Sequence, residues 1–163
     1  MAGRAAVLVD DEDKHIVGMT ESARYEEHHV SDWNDKVIEE FRGNAGKVGG
    51  PFEGAPIVLL TTTGRRSGRA RTNPLMYLPD DGRILVFASK GGAPEHPDWY
   101  TNLLTNPDVT VEVGTDRYEA RATEVTGEER DRIYSKQASL FPNFAEYQEK
   151  TDRKIPVVAL VPR

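Results

Sequence analysis

Cysteine is absent from the chain, which removes disulfides, thiolate nucleophiles, cysteine-ligated zinc and iron-sulfur clusters together and is compatible with a reducing, cytoplasmic setting. A basic surplus is missing too. The formal charge is -6 over 163 residues, whereas a general nucleic-acid binder carries positive charge over a whole face, so no nucleic-acid partner is expected. Long apolar runs are lacking: nothing is long enough to span a bilayer, and Met1 to Val9 is too short for a signal core before it meets Asp10 to Asp13. The common catalytic signatures are also missing, with no G-x-S-x-G, H-E-x-x-H, Walker lysine loop or strand-to-helix G-x-G-x-x-G. His28 and His29 are neighbours whose side chains point apart, and with His15 they make a poor metal constellation, so no metal is expected. His96 stands alone in a proline-rich loop, and acid pairs such as Asp80 and Asp81 fall at turns, where solvation explains them.

What is present is a stretch of basic residues between two apolar runs, from Thr61 to Pro74. Gly64 and Gly68 permit a tight reversal and close approach of backbone N-H groups, while Arg65, Arg66, Arg69 and Arg71 supply forked, permanent positive charge. A phosphate or carboxylate suits that arrangement, and a merely solvated hairpin tip is the competing reading.

The size and composition fit one globular domain over residues 31–163, with residues 1–30 as an extension lacking a sustained period. Ala6 to Val9 could add a short strand there. Ser31 can cap a helix to about Ala45 whose stripe of Trp33, Val37, Ile38 and Phe41 is expected to pack on the core, a membrane-surface role being the alternative. Pro56 to Thr61, Thr72 to Leu78 and Arg83 to Ser89 read as a three-stranded meander, with Pro74 implying an edge or bulge and Asp80-Asp81-Gly82 a hairpin turn. Pro97 to Leu104 fits a short helix, Asp108 to Val113 and Arg117 to Val125 a second hairpin, and Thr126-x-x-Glu129 a capping box opening a helix to about Ala138. A short helix after Pro142 and a strand from Ile155 to Val161 complete the chain. Antiparallel runs without βαβ alternation predict an α+β, mainly β fold: a small barrel of six or seven antiparallel strands flanked by helices.

In such a meander the turn after the first strand and the exit of the third lie at one end. The arginine hairpin and the Ser89-Lys90-Gly91-Gly92 loop are therefore expected side by side. A ligand with an anionic tail and a flat apolar head would find guanidinium groups at one end and Met76, Trp99, Phe141, Phe144 and Tyr147 at the other. A redox cofactor would also explain the missing nucleophiles and bases.

The motifs Thr61-Thr-Thr-Gly-Arg-Arg-Ser-Gly68, Arg71-x-Asn-Pro-Leu75, Ala88-Ser-Lys-Gly-Gly92, Trp99-Tyr-x-Asn-Leu103, Asn106-Pro107 and Thr151-Asp-Arg-Lys-Ile-Pro-Val157 resemble, in order, the deazaflavin-dependent nitroreductase and quinone reductase family of actinobacteria. The resemblance implies a split β-barrel of the flavin-mononucleotide-binding type and hydride transfer from reduced coenzyme F420 to a quinone, a nitro compound or another conjugated acceptor. It implies that Arg65, Arg66, Ser67, Gly68 and Arg71 hold the phosphate and oligoglutamate tail and that Asn73, Pro74 and Leu75 line the cofactor. It further implies that Ala88, Ser89, Lys90, Gly91 and Gly92 embrace its polar part, with Trp99 and Asn102 fixing that loop. Ser89 and Tyr147 are the expected catalytic pair, and Met76, Phe141, Phe144 and Tyr147 the substrate pocket. Where well-known nitroreductase members carry tyrosines, this chain has Met76, Phe141 and Phe144, so flat hydrophobic acceptors are expected to be preferred over nitroimidazoles. A non-catalytic deazaflavin-binding protein and a flavin-mononucleotide oxidoreductase are the alternative readings. Oligomeric state is left open, as are peripheral membrane contact and a place at the inner membrane face.

Overall fold

The computed structural model describes residues 33–163. The extension over residues 1–30, the strand expected at Ala6 to Val9, the three N-terminal histidines and the Ser31 cap lie outside the described residues. The first described element is a helix, α1, over residues 33–43. Its Val37 and Phe41 are buried against Val48, Phe52, Ile57 and Leu59, with Trp33 and Ile38 packed at the margin. The apolar stripe is thus core, as its spacing predicts.

Six strands follow: β1 (Ile57–Thr63), β2 (Ala70–Asp80), β3 (Arg83–Phe87), β4 (Asp108–Val113), β5 (Asp116–Val125) and β6 (Val157–Pro162). All pairings are antiparallel, and the sheet closes on itself in the order β1-β2-β3-β6-β5-β4. Three further helices flank it: α2 (Asp98–Thr105), α3 (Gly127–Leu140) and α4 (Asn143–Glu149). The β2–β3 hairpin turns on Asp81 and Gly82, both left-handed at φ 54° and 75°. That is the type I′ geometry an Asp-Gly pair favours, because its twist matches that of the strands.

Alternation assigns the two faces of the barrel. Val58, Leu60, Val86, Val109, Val111, Ala120, Ala122, Val158 and Leu160 share the inner face, and α2 adds Trp99, Tyr100 and Leu103 to the same cluster. The outward residues of β1, Ile57 and Leu59, lie beneath α1. Those of β3 and β6, Leu85, Phe87, Val157 and Ala159, are covered by side chains of α3 and α4. Strands covered on both faces have no reason to alternate, so they read as unbroken apolar runs. β5 exposes much of one side and does alternate.

Two local expectations are refined. β2 runs straight through Pro74, which stands opposite Leu59 of β1. β3 pairs only with Tyr77 to Asp80, so the earlier half of β2 has β1 on one side and, among the described residues, no strand on the other. Proline forfeits no ladder hydrogen bond on that open side, and the barrel is split along it. At α3 the start is as expected, but Thr126 makes no side-chain capping bond. A capping box needs helical backbone directly after the cap, whereas Gly127 is left-handed at φ 68°.

Candidate functional site

The arginine hairpin is closed by its own backbone: the Gly64 N-H donates to the Arg69 carbonyl at 2.7 Å and the Gly68 N-H to the Gly64 carbonyl at 2.9 Å. Gly68 has φ 72°, and a Cβ built there would meet nothing within 4 Å, so the outer side of the turn is open. Arg66, Ser67, Gly68 and Arg69 are exposed, and Arg71 is half-buried. Arg65 is turned the other way. Its Nη1 donates to Asn102 Oδ1 at 2.7 Å, its Nη2 reaches Asp98 Oδ1 at 3.2 Å, and its backbone N-H also donates to Asn102 Oδ1 at 3.1 Å. Asn102 is fully buried and donates through Nδ2 to Thr62 Oγ1 at 3.2 Å. Arg65 and Asn102 therefore latch the hairpin onto α2, so Asn102 steadies the hairpin and not the glycine loop as the sequence suggested.

The glycine loop begins where β3 ends. Ala88 is fully buried, and its N-H donates to the Pro156 carbonyl at 3.0 Å. Lys90, Gly91 and Gly92 then follow at φ 47°, 63° and 85°, a left-handed run that costs a non-glycine residue of the order of 1 kcal/mol. A Cβ on Gly92 would stand 2.7 Å from the Tyr147 carbonyl oxygen and 3.0 Å from Lys150 Cβ. Only glycine lets the loop press this closely on the end of α4. Lys90 Nζ reaches Glu95 at 3.4 Å, a solvent-screened pair.

Beside the glycine loop lies an open cleft lined by Leu75, Met76, Phe87, Ser89, Lys90, Gly91, Trp99 and Phe144. It lies beside the stretch of β2 that β3 leaves unpaired. Seven of the eight lining residues were legible in the sequence. Phe87 was not, because it reads as one more apolar residue of a strand. Asn73 and Pro74 are buried next to Leu75. Phe141 is half-buried and packs against the cluster of α3 and α4. Tyr147 is buried in that cluster, its ring 5.2 Å from that of Phe144 and its hydroxyl accepting from Asn143 Nδ2 at 2.9 Å. Burial pushes the Tyr147 phenol above its ordinary pKa, which keeps it protonated near neutrality. Phe144 is held by an edge contact to Phe87 at 5.7 Å and by Tyr134, whose hydroxyl donates to the Phe144 carbonyl at 2.7 Å.

Helix α2 joins the two halves of the site. Trp99 faces the cleft, while Asp98 and Asn102 of the same helix hold Arg65. No cluster of three metal-ligating side chains occurs among the described residues.

The sequence model of the family described as F420H(2)-dependent quinone reductase matches residues 33–162. An F420H(2)-dependent quinone reductase of Mycobacterium tuberculosis is 39% identical over 130 residues, spanning 76% of this chain and 85% of that protein. A solved structure described as an F420-H2 dependent reductase is 46% identical and superposes with a TM-score of 0.59, covering 64% of this chain and 93% of its own. Another, described as a domain-swapped dimer, is 38% identical with a TM-score of 0.62 and covers 80% and 98%. A match over nearly all of the described residues, on a closed barrel carrying both expected loops, places this chain in the F420H(2)-dependent quinone reductase family.

Proposed function

We infer that this chain is an F420H(2)-dependent reductase that acts on quinones, with the cofactor tail on the arginine hairpin and the reacting end of the site in the cleft beside Ser89. The observation that carries the assignment of roles is that α2 serves both features, its Asp98 and Asn102 holding the arginine hairpin and its Trp99 lining the cleft. The donor set fits a long polyanion. Arg66 and Arg69 extend from an open turn, and more guanidinium groups are gathered there than one phosphate needs. When bound, the reduced deazaflavin supplies a hydride, and a quinone acceptor takes it up together with a proton to become the hydroquinone.

The protein's part is binding, orientation and exclusion of water. Leu75, Met76, Trp99 and Phe144 give a flat, apolar seat, and Ser89 is the hydroxyl at its rim. The hydroxyl can donate to an acceptor oxygen as charge develops there without any unusual pKa. Nitro compounds belong to the acceptor classes this site could take, but Met76 and Phe144 offer them no phenol donor. No described helix is long and apolar enough to cross a membrane. A cytoplasmic place is the working reading for an enzyme drawing on a soluble coenzyme, and membrane contact at the inner face is the variant to test, by flotation with liposomes.

Titration with oxidised F420 followed by fluorescence, then oxidation of F420H2 followed by absorbance on adding menadione, tests the reading directly. Arg66→Ala combined with Arg69→Ala should raise the F420 dissociation constant about tenfold or more and flatten its salt dependence. Saturable binding without menadione-dependent oxidation would leave a storage protein. A response to flavin mononucleotide in place of F420 would make it a flavoenzyme.

A further inference from the structure

The segment between α4 and β6 sends one side chain under the glycine loop. The guanidinium of Arg153 donates through Nε to the Ala93 carbonyl at 2.9 Å, through Nη2 to the Ser89 carbonyl at 2.8 Å, and through Nη1 to the Ala88 carbonyl at 3.1 Å and to His96 Nδ1 at 2.9 Å. Every acceptor comes from residues 88–96. The bonds span the loop from its entry at Ala88 to the residues just past its exit, and add to the loop's own bonds from the Gly92 N-H to the Ser89 carbonyl and from the Ala93 N-H to the Lys90 carbonyl across a left-handed backbone. Arginine can only donate. His96 Nδ1 must therefore be the acceptor, which puts the imidazole proton on Nε2 and makes the ring neutral.

We propose that Arg153, with neutral His96 as its fourth acceptor, is the positioning residue that presets the Ser89–Gly92 loop for the cofactor, and that protonation of His96 releases this clamp. The proposal rests on the reading that this loop takes F420. The ring of His96 lies 4.7 Å from that of Tyr100, whose hydroxyl donates to Glu124 Oε1 at 2.7 Å. The groups that bear on His96 are therefore Arg153 from the segment before β6, Tyr100 of α2 and Glu124 of β5, with Glu95, paired to Lys90, on its own loop. Burial first, and the Arg153 charge second, hold the His96 pKa below its ordinary 6.5, against the opposing pull of Glu124. The neutral form is thus the one the fold selects. Its contribution is complete above about pH 6.5 and is lost as pH falls through the depressed value. A charged imidazole would present a second donor to a donor and place two cations within hydrogen-bonding distance.

Two variants of the full chain test this, each read in two ways. Protection factors of the loop amides are measured by hydrogen exchange without cofactor, and the F420 dissociation constant is measured by fluorescence from pH 5 to pH 8. Arg153→Lys keeps the charge but cannot fork. It should lower protection at Gly91 to Ala93 and raise the dissociation constant, each about tenfold, the worth of one lost hydrogen bond. In the wild type both quantities should worsen as pH falls through the His96 pKa. His96→Asn puts a non-titrating acceptor where Nδ1 stands and should flatten both profiles. Unchanged loop protection in Arg153→Lys, or identical pH profiles for the wild type and His96→Asn, would overturn the clamp. If Arg153→Lys does not fold, the two pH profiles decide. If the wild type does not bind F420, the functional reading falls and the exchange data still judge the clamp.

Discussion

At the scale of single residues, the proposed site separates groups that hold the loops from groups open to the cleft. Ser89 is half-buried at the cleft, and its carbonyl is already taken by Arg153, so its hydroxyl is the part left for chemistry. Ser89→Ala should lower kcat for menadione about tenfold to a hundredfold while moving the F420 dissociation constant by less than about threefold. Equal losses in binding and turnover would reduce the hydroxyl to a cofactor contact. Arg65 shows why position within a motif does not settle a role. In sequence it is one of a cluster of arginines, yet it spends its donors on Asp98 and Asn102. Nothing in the spacing distinguishes it from Arg66, because the difference lies in a helix more than thirty residues away. Arg153 is harder still to see, since the motif Thr151-Asp-Arg-Lys154 gives its arginine no role until the loop it reaches is in place. Gln137 carries a different lesson. Its side chain is fully buried on α3, and neither amide atom has a hydrogen-bond partner among the described residues. Gln137→Met should therefore stabilise the fold by about 1 to 2 kcal/mol, seen as a higher urea midpoint with an unchanged m-value. A lower midpoint would mean that the amide is satisfied by a buried water.

At the scale of elements, α3 is pinned to the β2–β3 hairpin by one carboxylate. Asp80 is buried and accepts from Arg132 at 3.0 Å and Lys136 at 3.0 Å, with Arg83 at 3.5 Å. Those hydrogen bonds, the one from Arg132 foremost, draw its pKa down to about 2 from 3.8. A depressed carboxyl stabilises the fold above its unfolded value and loses that contribution as pH falls from about 4 through about 2. Asp80→Asn should cost about 1 to 2 kcal/mol at neutral pH, discounted because its cationic partners are half in water, and should remove this part of the acid transition in a pH series of thermal melts. The role of Asp80 was not legible in the sequence, where Asp80-Asp81-Gly82 announces a turn and leaves the first acid as surface. The elements themselves were legible, because the meander, the second hairpin and the helices each carry local signals of period, Asp-Gly or proline. What the sequence could not reveal was the pairing of β3 with β6 and of β1 with β4, which depends on closure of the whole sheet.

At the scale of the whole molecule, the acceptor preference proposed above follows from the residues that line the cleft beside the Ser89 loop. Met76 and Phe144 stand at it without a hydroxyl, while Tyr147, the tyrosine that remains, has its hydroxyl engaged by Asn143 and its ring in the core. Under one set of conditions, F420H2 oxidation should run at least about tenfold faster with menadione than with a nitroimidazole, and comparable rates would sink this account of the acceptor. Phe144→Tyr should narrow the gap, since it adds a phenol to the lining of the cleft. The loop at Ser89 leans on Pro156 through the Ala88 N-H and on Arg153 through its carbonyls, and β3 gains its second neighbour only from β6. Both supports come from the segment after α4, so the arginine hairpin closes on its own local bonds while the loop at Ser89 depends on chain more than sixty residues away in sequence. A change that loosens the pairing of β6 with β3 therefore loosens the Ser89 loop with it, however far from the loop it is made.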